Sequence, residues 1–233
     1  MGSWTEVEVI MNPEELEQLK LESHRNTGSS ETNNDEFDKN GYLVIKNLWD
    51  PKELYHPVPN VTGMMMYWGK KIDQFNYIEE EAQVKGSLAR YWHPQYREIH
   101  TGIRLKLEKA IGKKLYNTYY YDRFYFTGQE LTKHIDRPSC EISTTVHVST
   151  NLKTPWPVLV ENLEGKEISV NLDPGDCLVY KACERIHWRE PMPTEYDNKW
   201  LRMKKKEDLY YHQIFFHYVL ADGIRAHYAG DGN

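Results

Sequence analysis

The sequence is poor in cysteine, has no long apolar run and carries no excess of positive charge. Its three cysteines, Cys140, Cys177 and Cys183, are odd in number and show no CxxC spacing. A disulfide framework or a cysteine zinc site is therefore not expected, whereas inert buried thiols in a reducing compartment are. No stretch approaches the ~20 apolar residues of a membrane helix, so no membrane association is expected. Residues 1–10 lack a basic region followed by an apolar core, so no secretory signal is expected and a cytoplasmic location is. With 29 Lys and Arg against 35 Asp and Glu, the formal net charge is −6. That balance argues against sequence-independent binding of nucleic acid. No internal repeat is visible.

What the chain does have is aromatic bulk. Hydrophobic residues make up only 39% of the 233 positions, yet 17 Tyr, 7 Trp and 6 Phe supply large apolar faces. Disordered chains are poor in such residues, so a packed core is expected. The length suits one domain, since single barrels and sandwiches run to roughly 200–250 residues. Ten histidines in an acidic protein are a surplus that needs a use.

Residues 12–24 read as a helix, with Asn12 as N-cap, Pro13 at the first helical position and acids in the first turn. Residues 26–34, rich in Gly, Ser, Thr and Asn, read as a linker. Residues 1–36 thus form an N-terminal helix with a flexible linker, and residues 37–233 the main domain. Residues 41–48 read as a strand and 50–54 as the start of a short helix. Residues 55–94 show no clear period. From Tyr96 to Leu115, Tyr96, Ile99, Ile103, Leu107, Ala110 and Ile111 recur in helical steps. After Gly112 the period becomes two. Short strands are expected at 116–126, 141–149, 156–162, 167–172, 176–180, 186–189 and 210–219, separated by turn residues. Helices first and strands afterwards predict a mainly β, α+β fold: an antiparallel jelly roll with helices packed on one face.

Two histidines stand out by their surroundings. His134 and Asp136 are two residues apart, and alternate side chains of an extended strand share a face, roughly 7 Å apart at Cα. His187 follows several strands later. Two imidazoles and one carboxylate on one face of an ion leave open positions, which suits non-haem Fe(II) that must bind a cosubstrate and dioxygen. A bare His-x-Asp also occurs as a surface pair, so the flanking pattern has to decide. That pattern is Tyr125-x-x-Gly128-x-x-Leu131-x-x-His134-x-Asp136, the Pro174-Gly175-Asp176 turn and His187. It also includes Phe37-x-x-x-Gly41-Tyr42-Leu43-Val44-Ile45 and the final Gln213-Ile214-Phe215-Phe216-His217-Tyr218.

Together these residues resemble the Fe(II)- and 2-oxoglutarate-dependent dioxygenases, in particular the prolyl-hydroxylase-like branch, over roughly residues 37–222. The resemblance implies a double-stranded β-helix with His134, Asp136 and His187 as metal and catalytic residues. It implies Fe(II), 2-oxoglutarate and O2 as cofactors, with ascorbate as a candidate reductant. The implied activity couples conversion of 2-oxoglutarate to succinate and CO2 with hydroxylation of an unactivated C–H bond. One departure concerns the basic residue that holds the distal carboxylate of 2-oxoglutarate, usually nine to eleven residues after the second histidine. Tyr196 and Asp197 stand at the ninth and tenth positions here, and residues 190–209 look inserted. Arg189 is the favoured substitute, because it shares a strand face with His187 and a buried guanidinium seeks an anion. Lys199 and Arg202 are alternatives, and an ion pair with Glu190 is the plainer role for Arg189. Tyr125 is expected to bind the cosubstrate carboxylate or the substrate, or else to be a core tyrosine.

Arg137 could hold a substrate carbonyl or cap a loop. His147 and His217 are expected to be hydrogen-bonded wall residues, with His212 a lesser candidate for 2-oxoglutarate. The expected partner is a protein or peptide carrying prolyl residues; the alternatives are a free small molecule or a jelly-roll module that binds without turnover. Oligomeric state is not legible.

Overall fold

The computed structural model describes residues 35–58, 83–193 and 209–231. The helix expected at 12–24, the linker at 26–34, and Lys199 and Arg202 lie outside these residues. Among the described residues the order begins α1 (Asp35–Asn40), β1 (Tyr42–Ile45), α2 (Pro51–Leu54), β2 (Leu88–Tyr91), then α3 (Arg97–Ile111). Eight strands follow: β3 (Leu115–Phe126), β4 (Leu131–His134), β5 (Ile142–Thr150), β6 (Val158–Glu161), β7 (Glu167–Val170), β8 (Cys177–Lys181), β9 (His187–Arg189) and β10 (Tyr210–Leu220).

The strands form two antiparallel sheets. The larger has the order β1-β8-β5-β10-β3-β2 and the smaller β4-β9-β6-β7. From β3 onward the chain passes from the large sheet to the small one and back: β3 large, β4 small, β5 large, β6 and β7 small, β8 large, β9 small, β10 large. This is the expected double-stranded β-helix, two facing sheets whose strands alternate along the chain.

Both faces of the large sheet are buried. On its outer face, Ile103, Leu107 and Ile111 of α3 pack against Tyr120, Ile142, Val146, Val179, Ile214, Phe216 and Tyr218. Each large apolar chain buried there contributes roughly 1.5–3 kcal/mol. The helix ends at Ile111, four residues before the periodicity suggests. Gly112 takes a left-handed φ of 67° and its amide donates to the Glu108 carbonyl at 3.0 Å. The Glu108 carboxylate then accepts from the Leu115 amide at 2.9 Å, so one residue closes the helix and starts β3.

β2 falls inside the stretch that showed no period. Leu88, Ala89 and Arg90 are all buried, so both faces of this strand meet protein and the polar–apolar alternation disappears. The Pro174-Gly175-Asp176 turn is structural. Gly175 has φ 89°, and a Cβ there would stand 2.6 Å from the Trp49 carbonyl oxygen. The Asp176 carboxylate accepts from the amides of Asn47 and Asp173 and from Lys46 Nζ, fastening β1 to the β7–β8 turn.

Candidate active site

The small sheet's register places His134 directly opposite His187. Asp136 lies just past β4, its amide donating to the Ala182 carbonyl at 2.9 Å. The two imidazole centroids are 4.2 Å apart. Asp136 Oδ1 is 3.3 Å from His134 Nε2 and 3.4 Å from His187 Nε2. Strand alternation brought His134 and Asp136 near each other; only the β4–β9 pairing adds His187.

The tautomers are set by backbone contacts. His134 Nδ1–H donates to the Thr132 carbonyl at 2.7 Å, and His187 Nδ1–H to the Arg185 carbonyl at 3.0 Å. Each ring therefore turns its Nε2 toward Asp136 Oδ1, the arrangement found when outer carbonyls orient metal-binding histidines. Three electron-pair donors within 4.8 Å of one another repel unless a positive charge sits among them. A divalent cation meets that requirement, and the N,N,O donor set suits a first-row metal. Burial pushes the Asp136 carboxyl up, but the contacts with His134 and His187 outweigh it and hold the group well below the ordinary carboxylate range. The residues present thus fit a metal ion.

From the Nε2 of His134 a chain of polar contacts leads to Arg189. Gln83 Nε2–H donates to His134 Nε2 at 2.8 Å, while its Oε1 accepts from Arg123 Nη2 at 3.0 Å. Arg123 Nη1 donates to the Tyr125 hydroxyl at 2.9 Å, and Gln213 Nε2 reaches the same oxygen at 3.4 Å. Gln213 Oε1 in turn accepts from Arg189 Nη2 at 2.8 Å. Arg189 also donates to the Trp156 carbonyl and lies between the rings of Trp156 and Tyr211, 4.5 and 4.6 Å from their centroids. Its guanidinium is 2% exposed, and among the described residues it makes no ion pair. Glu190 is engaged elsewhere, accepting from Trp188 Nε1 at 3.0 Å.

Gln83 and Arg123 escaped the sequence reading. Arg123 had a visible signal, since a strand carrying Asp122 and Arg123 side by side must bury a charge on one face or the other. Gln83 had none. His212 lies on the face of the sheet opposite Gln213, its Nε2 2.9 Å from Asp122 Oδ2 and its ring stacked on Phe124 at 3.9 Å, so it does not face the cup. Arg137 is exposed at the rim, 4.5 Å above the Tyr119 ring, and makes no side-chain cap to the turn it precedes. His147 Nδ1–H donates to the Leu172 carbonyl at 2.7 Å, and burial lowers its pKa to about 4. Cys140 and Cys177 are buried, Cys183 is partly buried, and all three are free. Burial pushes the Cys140 thiol up to about 12.

No protein-family model matches the sequence, and no curated protein matches it. Solved structures do match in shape. A 2OG-Fe(II) oxygenase family oxidoreductase from Burkholderia pseudomallei superposes with TM-score 0.55 at 9% identity, covering 83% of this chain and 92% of that one. A Trichoplax adhaerens prolyl hydroxylase in complex with a hypoxia inducible factor oxygen degradation domain peptide gives 0.53 at 11%, covering 90% and 94%. HygX from Streptomyces hygroscopicus, with nickel and 2-oxoglutarate bound, gives 0.52 at 11%, covering 80% and 86%. The chain has the double-stranded β-helix fold of the 2-oxoglutarate oxygenases, and no helix among the described residues is long and apolar enough to cross a membrane.

Proposed function

We propose that this protein is an Fe(II)- and 2-oxoglutarate-dependent oxygenase that hydroxylates an unactivated C–H bond, with prolyl residues of a protein or peptide as substrate. The observation that carries the reading is the convergence of His134 Nε2, His187 Nε2 and Asp136 Oδ1 within 4.8 Å, with both imidazole tautomers set by backbone carbonyls. Iron(II) held by these three groups would supply the redox chemistry that uses dioxygen and turns 2-oxoglutarate into succinate and CO2.

The chain's own residues then bind and orient. Arg189 stands two residues along the strand from His187, and among the described residues its acceptors are all neutral: the Trp156 carbonyl, Gln213 Oε1 and, at 3.5 Å, the Tyr211 hydroxyl. A buried guanidinium in that setting gains most from a carboxylate, which it can grip in bidentate fashion. Arg189 is thus the proposed partner of the distal carboxylate of 2-oxoglutarate. Tyr125 already accepts from Arg123 and Gln213, which leaves its own O–H to donate to the same cosubstrate. The aromatic walls exclude bulk water; Tyr180 packs 4.7 Å from the His187 ring. The prolyl assignment rests on the sequence resemblance, and the matched structures share only the fold.

The test is mass spectrometry and succinate assay after incubation with Fe(II), 2-oxoglutarate and, in separate arms, proline-containing peptides, a protein lysate and free amino acids. The expected result is stoichiometric succinate and a product heavier by one oxygen in the peptide arm, both abolished by His134→Ala or Asp136→Ala. A product in the amino-acid arm alone would replace the peptide with a small molecule. Turnover that survives both substitutions would move the chemistry to another site.

A further inference from the structure

The two oxygens of Asp136 are used differently. Oδ1 faces the imidazoles, whereas Oδ2 accepts from the Ser143 hydroxyl at 3.0 Å. Ser143 Oγ is in turn 2.8 Å from His217 Nδ1. A hydroxyl has one proton, and a carboxylate is the strongest acceptor in its reach. His217 must then donate its ring N–H to Ser143.

The surroundings of the ring agree with that direction. His217 Nε2 is buried without a hydrogen-bond partner. A bare lone pair there costs less than a buried N–H left without an acceptor, which the other tautomer would create. The ring is also held in place. It stacks on Tyr119 at 4.4 Å and Tyr121 at 5.8 Å, and the His217 carbonyl accepts from His100 Nε2 of α3 at 3.1 Å. The β10–β3 register slips between Phe216 and Tyr218, and such an irregularity re-aims side chains beside a site.

We infer that Ser143 and His217 form a positioning relay that holds Asp136 with one oxygen alone presented to the metal. The inference rests on the metal-site reading above. His217 orients the Ser143 hydroxyl, Ser143 occupies Oδ2, and neither residue touches the ion. Without the relay the carboxylate can rotate, and both of its oxygens compete for the same place.

The experiment is titration of the metal-free full-length protein with Mn(II), followed by electron paramagnetic resonance, and with Co(II), followed by visible absorption. Apo unfolding midpoints are measured on the same preparations. Loss of an outer hydrogen bond to a metal ligand weakens affinity by about 10–100-fold. Ser143→Ala should therefore raise the Mn(II) Kd at least about tenfold and change the Co(II) spectrum, and Ser143→Thr should restore both. His217→Phe keeps the stacked ring and should shift Kd the same way by a smaller factor. Because the two residues act in series, the double variant should bind no more weakly than Ser143→Ala.

A Ser143→Ala protein with wild-type Kd and spectrum overturns the relay, even if its apo midpoint falls, because that pattern is mere packing. Additive losses in the double variant overturn it too. A wild-type protein that binds neither ion overturns the metal-site reading itself, a distinct outcome.

Discussion

Two buried arginines, Arg90 on the outer face of the large sheet and Arg189 on the small sheet, are treated in opposite ways. Arg90 on the outer face is fully buried, and its Nε and Nη2 donate to the two oxygens of Asp122 at 2.9 and 2.8 Å. The same carboxylate accepts from His212, so the buried guanidinium is matched by a buried counter-charge. Burial pushes the Asp122 carboxyl up, but His212 and Arg90 outweigh it and hold it below its ordinary value. Arg189 on the cup side is just as buried, but its hydrogen-bond acceptors among the described residues are a carbonyl, an amide oxygen and a phenol. The neutralised cation serves the fold, whereas the proposed role of Arg189 would supply the counter-charge it lacks among the described residues.

Asp122→Asn should produce the largest effect that this contrast predicts. It leaves Arg90 buried without its counter-charge and should cost about 3–5 kcal/mol of stability, read as a fall in the urea midpoint at constant slope. A loss under about 1 kcal/mol would mean that the outer group is not the matched ion pair described. Arg189→Met should do the reverse. Replacing a buried cation by an apolar chain of similar length should leave apo stability within about 1 kcal/mol. The same change should weaken 2-oxoglutarate binding by about 30-fold or more, the effect of about 2 kcal/mol when one partner of a buried charge pair is removed. Tryptophan-fluorescence titration checks it, and an unchanged affinity would pass the role to Arg123.

Histidine gives the smallest and most pH-dependent effect. His100 on α3 is buried and neutral, with its pKa lowered from 6.5 to about 3 chiefly by burial. The unfolded chain takes up its proton below about pH 6.5 while the folded chain does not. The stability from this group is thus complete above that pH and is lost as pH falls toward 3. His100→Gln should remove about 1 kcal/mol of the stability loss seen between pH 7 and 5.5. An unchanged pH slope in denaturant titrations would refute the neutral assignment.

Much of the fold was legible in the chain. The seven expected strands from residue 116 onward all form, because turn residues bound them and they are rich in aromatic and β-branched residues. β2 was not legible, since Leu88, Ala89 and Arg90 are buried on both faces and leave no period to read. α3 ran short because the left-handed Gly112 stops a helix that apolar spacing alone would continue. Within the site, His134, Asp136, His187, Arg189 and Tyr125 were named from motif order and strand faces. His217 was read as a hydrogen-bonded wall residue, which it is, but its link to Asp136 through Ser143 was not legible. Gln83, Arg123 and Ser143 were missed, because no local pattern shows which polar groups converge on the triad.

The sequence by itself determined the local facts: which segments are extended, where glycine forces a turn, and that His134 and Asp136 lie within reach of one another. Only the tertiary structure decided which charges meet. Cross-strand register sets His134 opposite His187, sends Asp122 to Arg90, and leaves Arg189 among neutral acceptors. The physical reason is that strand periodicity assigns a side chain to a face, while the partner it finds there depends on strand pairings that no local pattern encodes.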